Sequence, residues 1–492
     1  MQKIMLLSLS VAAFTACTIF EPVPMPSGDY SIIAGDTVKT VKNKDFKEIY
    51  KKNLTNTPFL AIGDTVYTYK EPKLHTAPNK DPDLSKIKNE KDPALKGKPL
   101  TMVVIGGSLS AGVRDGGYFN EGMLTSYPNL VARQMKLKKF ELPLFDATEY
   151  NGTGRMAKTN FNPTGGPVQK YNAVSNNIAL SIDPETKNNK VKKYKGDPDN
   201  LAVAYTTRLA MLIVGEEGSK SVGRTLMDRI NIENRKPIIE KLKNRKNDIF
   251  ILESGMDNMM GIIFRGLLSS TDTKVNDLTF KENLTFEEKF INSSIELQVV
   301  RDYLAPTEMK GVLLNLPNLL DLPLLMKNDV IKNNTILNSP SSPLRNVIPL
   351  IYRLLPSSKV DSMLSPKVHI SLKPGLNPQI GTLNPFDYLT ISNDIDFVLN
   401  FVENYNNQLI SFNKKWGYPI VDIKTLYAKV LTIDGFKDES GVSINTSNFF
   451  SDDKIYPSAF GQAVIANEVI KAINSGYKTN IETINIREYL TK

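Results

Sequence analysis

The residues best suited to do chemistry lie between Thr101 and Gly112, in the stretch TMVVIGGSLSAG. A β-branched and apolar run breaks at Gly106 and Gly107, Ser108 stands at the apex of the turn, and Gly112 leaves room for whatever approaches it. A serine raised on a strand-to-loop turn is how several α/β hydrolases hold a nucleophile clear of the sheet. A glycine turn that merely contains a serine accounts for the same residues. A serine nucleophile needs a base, and the chain has only two histidines. His75 lies in a charged arm and His369 shortly before Pro374, and both read as exposed loop residues.

The elements that must position Ser108 follow from the apolar runs. Asp248-Ile-Phe-Ile-Leu-Glu-Ser-Gly reads as a second buried strand ending in a glycine turn, 310–318 as a third, and 418–422 as a fourth. Helices are expected at 126–135, 201–214, 221–231, 393–414 and 459–474. Strands alternating with helices at this spacing predict a mostly parallel sheet with helices on both faces. The site of such a sheet lies at the carboxyl ends of its strands, where Ser108, Gly255 and the Asp452 loop would meet.

The chain is 492 residues long and 41% hydrophobic, enough for a sizeable core. Its net charge of +9, from 61 basic and 52 acidic residues, is a mild excess for that length. The basic runs at 187–195 and 235–245 contain one aromatic, Tyr194, and read as solvated faces, so no nucleic acid is expected as partner. The only cysteine is Cys17. Lys3, an apolar run over 4–14 and the small residues Thr15 and Ala16 precede it. This leader resembles a bacterial lipoprotein signal over residues 1–16, with Phe14 where an aliphatic residue is usual, and it implies that Cys17 becomes the acylated first residue of the mature chain. No thiol then remains for a disulfide, a zinc site or a nucleophile. No later run reaches the roughly 20 apolar residues of a spanning helix.

Residues 17–99 read as a lipid-anchored spacer and charged arm: a proline-rich start, an amphipathic helix over 38–53 and an exposed lysine-rich loop over 71–99. Residues 100–492 read as one α/β domain enlarged by loop-rich insertions at about 142–197 and 329–384.

These landmarks resemble the SGNH (GDSL-type) hydrolase superfamily, in particular a group of large Bacteroidetes-like lipoproteins carrying that fold. The first block, Gly-Asp or Gly-Asn before Ser-Leu, appears as Gly106-Gly107-Ser108-Leu109, and Ala111, Gly112 and Tyr127-Pro128-Asn129 continue in family style. The second-block glycine falls at Asn176, and the third block falls at Gly255-Met256-Asp257-Asn258. The Asp-x-x-His-Pro block falls at Asp453-Lys454-Ile455-Tyr456-Pro457. The resemblance implies a three-layer α/β/α, flavodoxin-like parallel sheet with large loop insertions, and a site needing no cofactor or metal. In active members the serine attacks an ester carbonyl, the histidine takes its proton, the aspartate orients that histidine, and glycine and asparagine donors hold the oxyanion.

The departures fall on the chemistry. Tyr456 stands at the histidine position, and a phenol with a pKa of about 10 is a poor base at neutral pH. Asp257 stands at the oxyanion asparagine, an acceptor where a donor is needed. Losing one oxyanion donor typically costs about 3 kcal/mol, and losing the base of a serine triad costs on the order of a millionfold in turnover. The expectation is therefore a catalytically degenerate SGNH-type lipoprotein, with Ser108 and Asp453 vestigial. It would be anchored to the outer membrane through Cys17 and act as a binding or structural subunit beside outer-membrane protein partners. Two alternatives stand beside it: an active esterase or deacetylase on acylated glycans or lipids with an unorthodox base, and a glycan-binding module in which Tyr118, Phe119 or Tyr456 lines the former cleft.

Overall fold

Four apolar runs of the chain become the four central strands, β1 Met102–Ile105, β2 Ile249–Leu252, β3 Lys310–Leu314 and β4 Ile420–Val421. All pair in parallel, in the spatial order β1-β2-β3-β4. The side chains of β1 and β2 are buried throughout, which an uninterrupted Val/Ile/Leu/Phe run permits only in a strand covered on both faces. The computed structural model describes residues 74–155, 177–206, 221–230, 245–253, 310–318 and 400–490. It also describes shorter pieces between 215 and 323 and the backbone of several further strands and of one helix start.

Residues 199–203 correct one sequence expectation. The stretch from 201 onward reads as a helix, yet its start is extended and runs parallel to the free edge of β1. The Val104 N–H donates to Asp199 O at 3.0 Å, Leu201 N–H to Val104 O at 2.8 Å, and Val203 N–H to Gly106 O at 3.1 Å. Leu201, Ala202, Val203 and Ala204 are all buried, and four consecutive buried apolar residues fit a covered strand as well as a helix. Counted with this segment, the sheet order is 2-1-3-4-5, the flavodoxin-like arrangement. The chain leaves β1 to one side first and returns to the other, so right-handed crossovers lay their helices on opposite faces. The result is the three-layer α/β/α fold expected, with the switch point at the carboxyl end of β1, where Ser108 begins.

The helices are numbered α1 Ser108–Ala111, α2 Asn120–Leu124, α3 Tyr127–Gln134, α4 Val222–Ile230, α5 Ser392–Trp416, α6 Ile423–Val430, α7 Thr446–Phe449 and α8 Ala459–Tyr477. Helix α8 packs on α3 and reaches β3 and β4. Gln462 of α8 ties these pieces together: its Oε1 accepts the Tyr127 N–H at 2.9 Å and its Nε2 donates to Leu109 O at 3.2 Å.

Over 74–99 the lysine-rich arm forms no helix or strand and most of its side chains are exposed, as expected of a loop, yet some of its residues reach the core. It packs on the domain, with Ile87 and Leu95 buried. His75 is likewise buried, its ring between the Tyr489 hydroxyl at 2.8 Å and Gln134 Oε1 at 3.2 Å. Earlier in the chain, residues 36–40 form a strand in an antiparallel four-stranded sheet, where the start of an amphipathic helix was expected. His369 begins a short strand paired with Leu325–Lys327 and Tyr388–Leu389 rather than lying in a loop. Cys17, Asn176 and most of 329–384 lie outside the described residues. No helix among the described residues is long and apolar enough to cross a membrane.

Candidate active site

Ser108 opens α1 directly beyond β1, Asp257 lies just beyond β2, and Asp453 and Tyr456 lie on the loop leading into α8. The parallel sheet thus brings together the residues that the sequence singles out, at the carboxyl ends of its first strands. Gly255 sits in the turn after β2 with φ +97°, a conformation that favours glycine.

Asp257 is the hub. Its Oδ2 accepts two hydrogen bonds from Ser108, from the backbone N–H at 2.8 Å and from the hydroxyl at 2.9 Å. Its Oδ1 accepts the Tyr456 hydroxyl at 2.9 Å. The Ser108 oxygen also accepts the Tyr205 N–H at 2.9 Å, so the hydroxyl is engaged both as donor and as acceptor. Ser108 is 0% exposed.

Gly107 explains why this packing exists. A Cβ at residue 107 would lie 2.7 Å from Asp257 Oδ2, closer than real Cβ contacts come. Gly107 and Asp257 therefore fit one another: the carboxylate occupies the space that a side chain at 107 would enter.

Asp453 serves the backbone around it. Its Oδ1 accepts the backbone N–H groups of Ile455 at 2.8 Å and Tyr456 at 2.9 Å, and its Oδ2 accepts that of Gly116 at 3.1 Å. It orders the backbone of its own loop and joins that loop to 115–116, and it orients no base. Both nitrogens of His75 are engaged elsewhere, so that imidazole is not the base of Ser108. The side chain of His369 lies outside the described residues.

Sequence reasoning missed Glu253. It follows β2 directly, is 2% exposed, and its Oε2 accepts the Gly107 N–H at 3.1 Å and the Ser110 hydroxyl at 3.0 Å. The Ser110 oxygen in turn lies 2.7 Å from the Tyr127 hydroxyl. An acid ending an apolar run, at the end of a parallel strand, was the signal available. Asp115 was missed as well; its Oδ1 accepts the Asp452 N–H at 3.1 Å.

These carboxyls crowd one another in a poorly solvated place. Burial pushes Asp257 up to about 6, against the pull of its hydrogen bonds from Ser108 and Tyr456. Burial and then the Asp257 charge push Glu253 up to about 7. Burial and then Asp452 push Asp115 up to about 7. Burial and then the Asp257 charge hold the Tyr456 phenol well above its ordinary range, so it stays a donor at any pH near neutrality. Tyr118, Phe119 and Tyr456 are all buried and offer no open platform to a sugar ring. Among the described residues no group of three or more His, Cys, Asp or Glu side chains is placed to hold a metal ion.

No family model matches the chain, and no curated protein matches it. Among solved structures, an extracellular lipase from Streptomyces rimosus aligns with a TM-score of 0.33 and 10% identity, over 77% of this chain and 99% of that one. At that level of likeness the functional reading rests on the geometry of the site.

Proposed function

We propose that the chain is a lipid-anchored envelope protein whose SGNH-type domain does not hydrolyse esters, and that it serves as a binding or structural subunit beside outer-membrane partners. One observation carries the non-catalytic part. The Asp257 carboxylate sits on the Ser108 N–H and hydroxyl at 2.8 and 2.9 Å, the place where the carbonyl oxygen of an ester would have to bind. A developing oxyanion would find that place filled by a like charge, and Tyr456 fastens the carboxylate there. Anchoring through Cys17 and the envelope partner are drawn from the leader and the insertions in the sequence.

A second reading uses the same contact. A carboxylate 2.9 Å from a serine hydroxyl, with its pKa raised to about 6, has the reach of a general base. Catalysis would then need Asp257 to take the Ser108 proton and leave the Ser108 N–H to the substrate.

The test is to treat the purified protein with a fluorophosphonate probe and with short-chain p-nitrophenyl esters, alongside Ser108→Ala. The expected outcome is no adduct at Ser108 and the same background rate for both proteins. A Ser108-dependent adduct or rate overturns the proposal in favour of the second reading.

A further inference from the structure

The lysine-rich arm is fastened to the domain at two separate places, and the first is built around an imidazole. There His75 and Thr76 meet the end of α3 and the last turn of the chain, Ile486–Tyr489. The Thr76 N–H and hydroxyl donate to Glu488 Oε2 at 2.8 and 3.0 Å, and Arg133 donates to His75 O at 3.2 Å. At the second place Ile87 is buried in the core, and the Lys88 ammonium and the Asn89 N–H hold Asp248.

The first place fits a neutral imidazole. Gln134 donates through Nε2 to Glu482 O at 2.7 Å, which leaves its Oε1 facing His75 Nε2 at 3.2 Å. His75 Nε2 therefore carries the ring hydrogen. Nδ1 lies 2.8 Å from the Tyr489 oxygen, which also accepts the His75 backbone N–H at 3.2 Å. Burial pushes the Tyr489 phenol up to about 12, so its hydrogen is present for Nδ1 to accept. Both ring nitrogens are thus satisfied without a charge.

A second ring proton fits badly. On Nδ1 it would meet the phenol hydrogen, which would lose its acceptor, and the resulting cation would be 2% exposed. Of the charged groups facing the ring, Arg133 repels a cation, while the Glu488 carboxylate that attracts it already holds Thr76. Burial and then Arg133 lower the affinity of His75 for a proton, against the opposite pull of Gln134 and Glu488. A released histidine titrates at about 6.5. The clasp is therefore at full strength above that pH and weakens as pH falls below it.

We propose that His75 is a pH-sensitive latch of the arm: neutral, it holds residues 74–76 on α3 and the last turn; protonated, it lets them go while the arm stays fixed at 87–89. Between the two places Asp81 meets Lys136 at 2.8 Å and the Asp83 N–H donates to Asn480 Oδ1 at 2.6 Å, so the freed length is 74–80. That adds up to about 20 Å of reach to whatever precedes the arm. For an anchored chain this sets the distance from the membrane, a consequence that rests on the anchoring proposed above; the latch itself does not.

Amide hydrogen exchange of the full-length protein at pH 7.5 and pH 5.0, each rate divided by the intrinsic rate at that pH, tests this. The His75 and Thr76 amides should lose protection at pH 5.0 by at least about threefold and by no more than about thirtyfold, the limit set by a released histidine at that pH. The Asn89 amide should keep its protection. Glu253 and Asp257 make the whole domain more stable toward pH 5, so global unfolding cannot imitate the loss. His75→Gln, which offers a donor and an acceptor and cannot titrate, should show no such loss. Unchanged protection at 75–76, an equal loss at Asn89, or the same loss in His75→Gln would each overturn the latch. Where His75→Gln leaves 75–76 unprotected at both pH values, the wild-type imidazole decides, its NMR signal assigned by its absence from the variant. A His75 midpoint below 6.5 that tracks the loss of protection supports the latch, and a midpoint at or above 6.5 overturns it.

Discussion

Two buried carboxylates stand at opposite ends of β2, and they are held in different ways. Asp248, just before the strand, is 0% exposed and meets the Lys88 ammonium at 3.1 Å, the Asn89 N–H at 2.9 Å, and the Thr101 N–H and hydroxyl at 2.8 and 3.1 Å. Asp257, just beyond the strand, is held by neutral donors from Ser108 and Tyr456 and shares its surroundings with Glu253. The amino end of the sheet thus gives its acid a counter-charge and enough donors. At the carboxyl end, where open parallel sheets receive ligands, Asp257 and Glu253 add their negative charges to one another, while the Arg114 guanidinium lies against Asp115 instead. The cluster is electrostatically costly, with Glu253 Oε1 buried and without a hydrogen-bond partner, and that cost marks which end of the sheet was built for something other than stability.

The sharpest way to break this comparison is to make the same substitution at both ends. In Asp248→Asn, the amide nitrogen replaces either the oxygen that accepts the Asn89 N–H or the one that accepts the Thr101 N–H, so it faces a donor either way, and the largely buried Lys88 ammonium loses its counter-charge. Breaking such a pair costs about 3 to 5 kcal/mol. In Asp257→Asn, the amide oxygen can still accept both Ser108 donors, while the N–H₂ faces the Tyr456 oxygen, which can accept in turn. That change should cost under about 1 kcal/mol. Urea unfolding of the two variants checks it; equal losses would show that the two ends do not differ.

The pH dependence of stability sharpens the same contrast. Glu253 rises from 4.5 to about 7 and Asp257 from 3.8 to about 6 in the folded protein. Between the unfolded and folded values the native state binds more protons than the unfolded chain, so stability falls as pH rises from about 4 to about 7. It is retained below the unfolded pKa. At about 1.4 kcal/mol per unit, Glu253 alone accounts for about 3 kcal/mol of the loss. Thermal unfolding of the wild type across that range should show the decline, and Glu253→Gln should flatten it. A Glu253→Gln profile as steep as that of the wild type would remove the electrostatic account of this end.

The sheet was legible because its strands are covered on both faces and so written in unbroken apolar letters; Met102–Ile105 and Ile249–Leu252 admit little else. The meeting of Ser108, Gly255 and the Asp452 loop was legible for a related reason, since each follows or precedes an element that a parallel sheet delivers to one edge, whereas Asp257, Asp453 and Tyr456 stood out only through the resemblance to the hydrolase blocks. The edge segment at 199–203 was not, because Leu-Ala-Val-Ala carries no periodicity that separates strand from helix. His75 was misjudged from its lysine-rich neighbours. Its burial depends on Tyr489 and Gln134, partners remote in sequence that no local pattern announces. Glu253 was passed over because an acid at a strand end reads as solvated until the opposite loop is known to cover it.

The smallest effect bears most directly on what Ser108 is for. Residues kept for catalysis are commonly poor choices for stability, so truncating an active nucleophile tends to leave a protein equally or more stable. Ser108 is placed as a structural residue instead. Its hydroxyl donates to the Asp257 carboxylate and accepts the Tyr205 N–H, and both groups would lose their partner in Ser108→Ala with no water able to replace it at a 0% exposed position. Hydrogen bonds to charged groups contribute about 1.5 to 3 kcal/mol, and an orphaned buried N–H adds to the loss. Against this, alanine relieves nothing, because the Ser108 N–H still holds Asp257 in place. Ser108→Ala should therefore lower stability by about 1 to 2 kcal/mol at pH 7.5, where Asp257 is charged. The loss should shrink at pH 5, where Asp257 is protonated and its pull on the serine hydroxyl weakens. A variant as stable as the wild type, or more so, would place Ser108 back among residues held for chemistry and return the carboxyl end of the sheet to a working site.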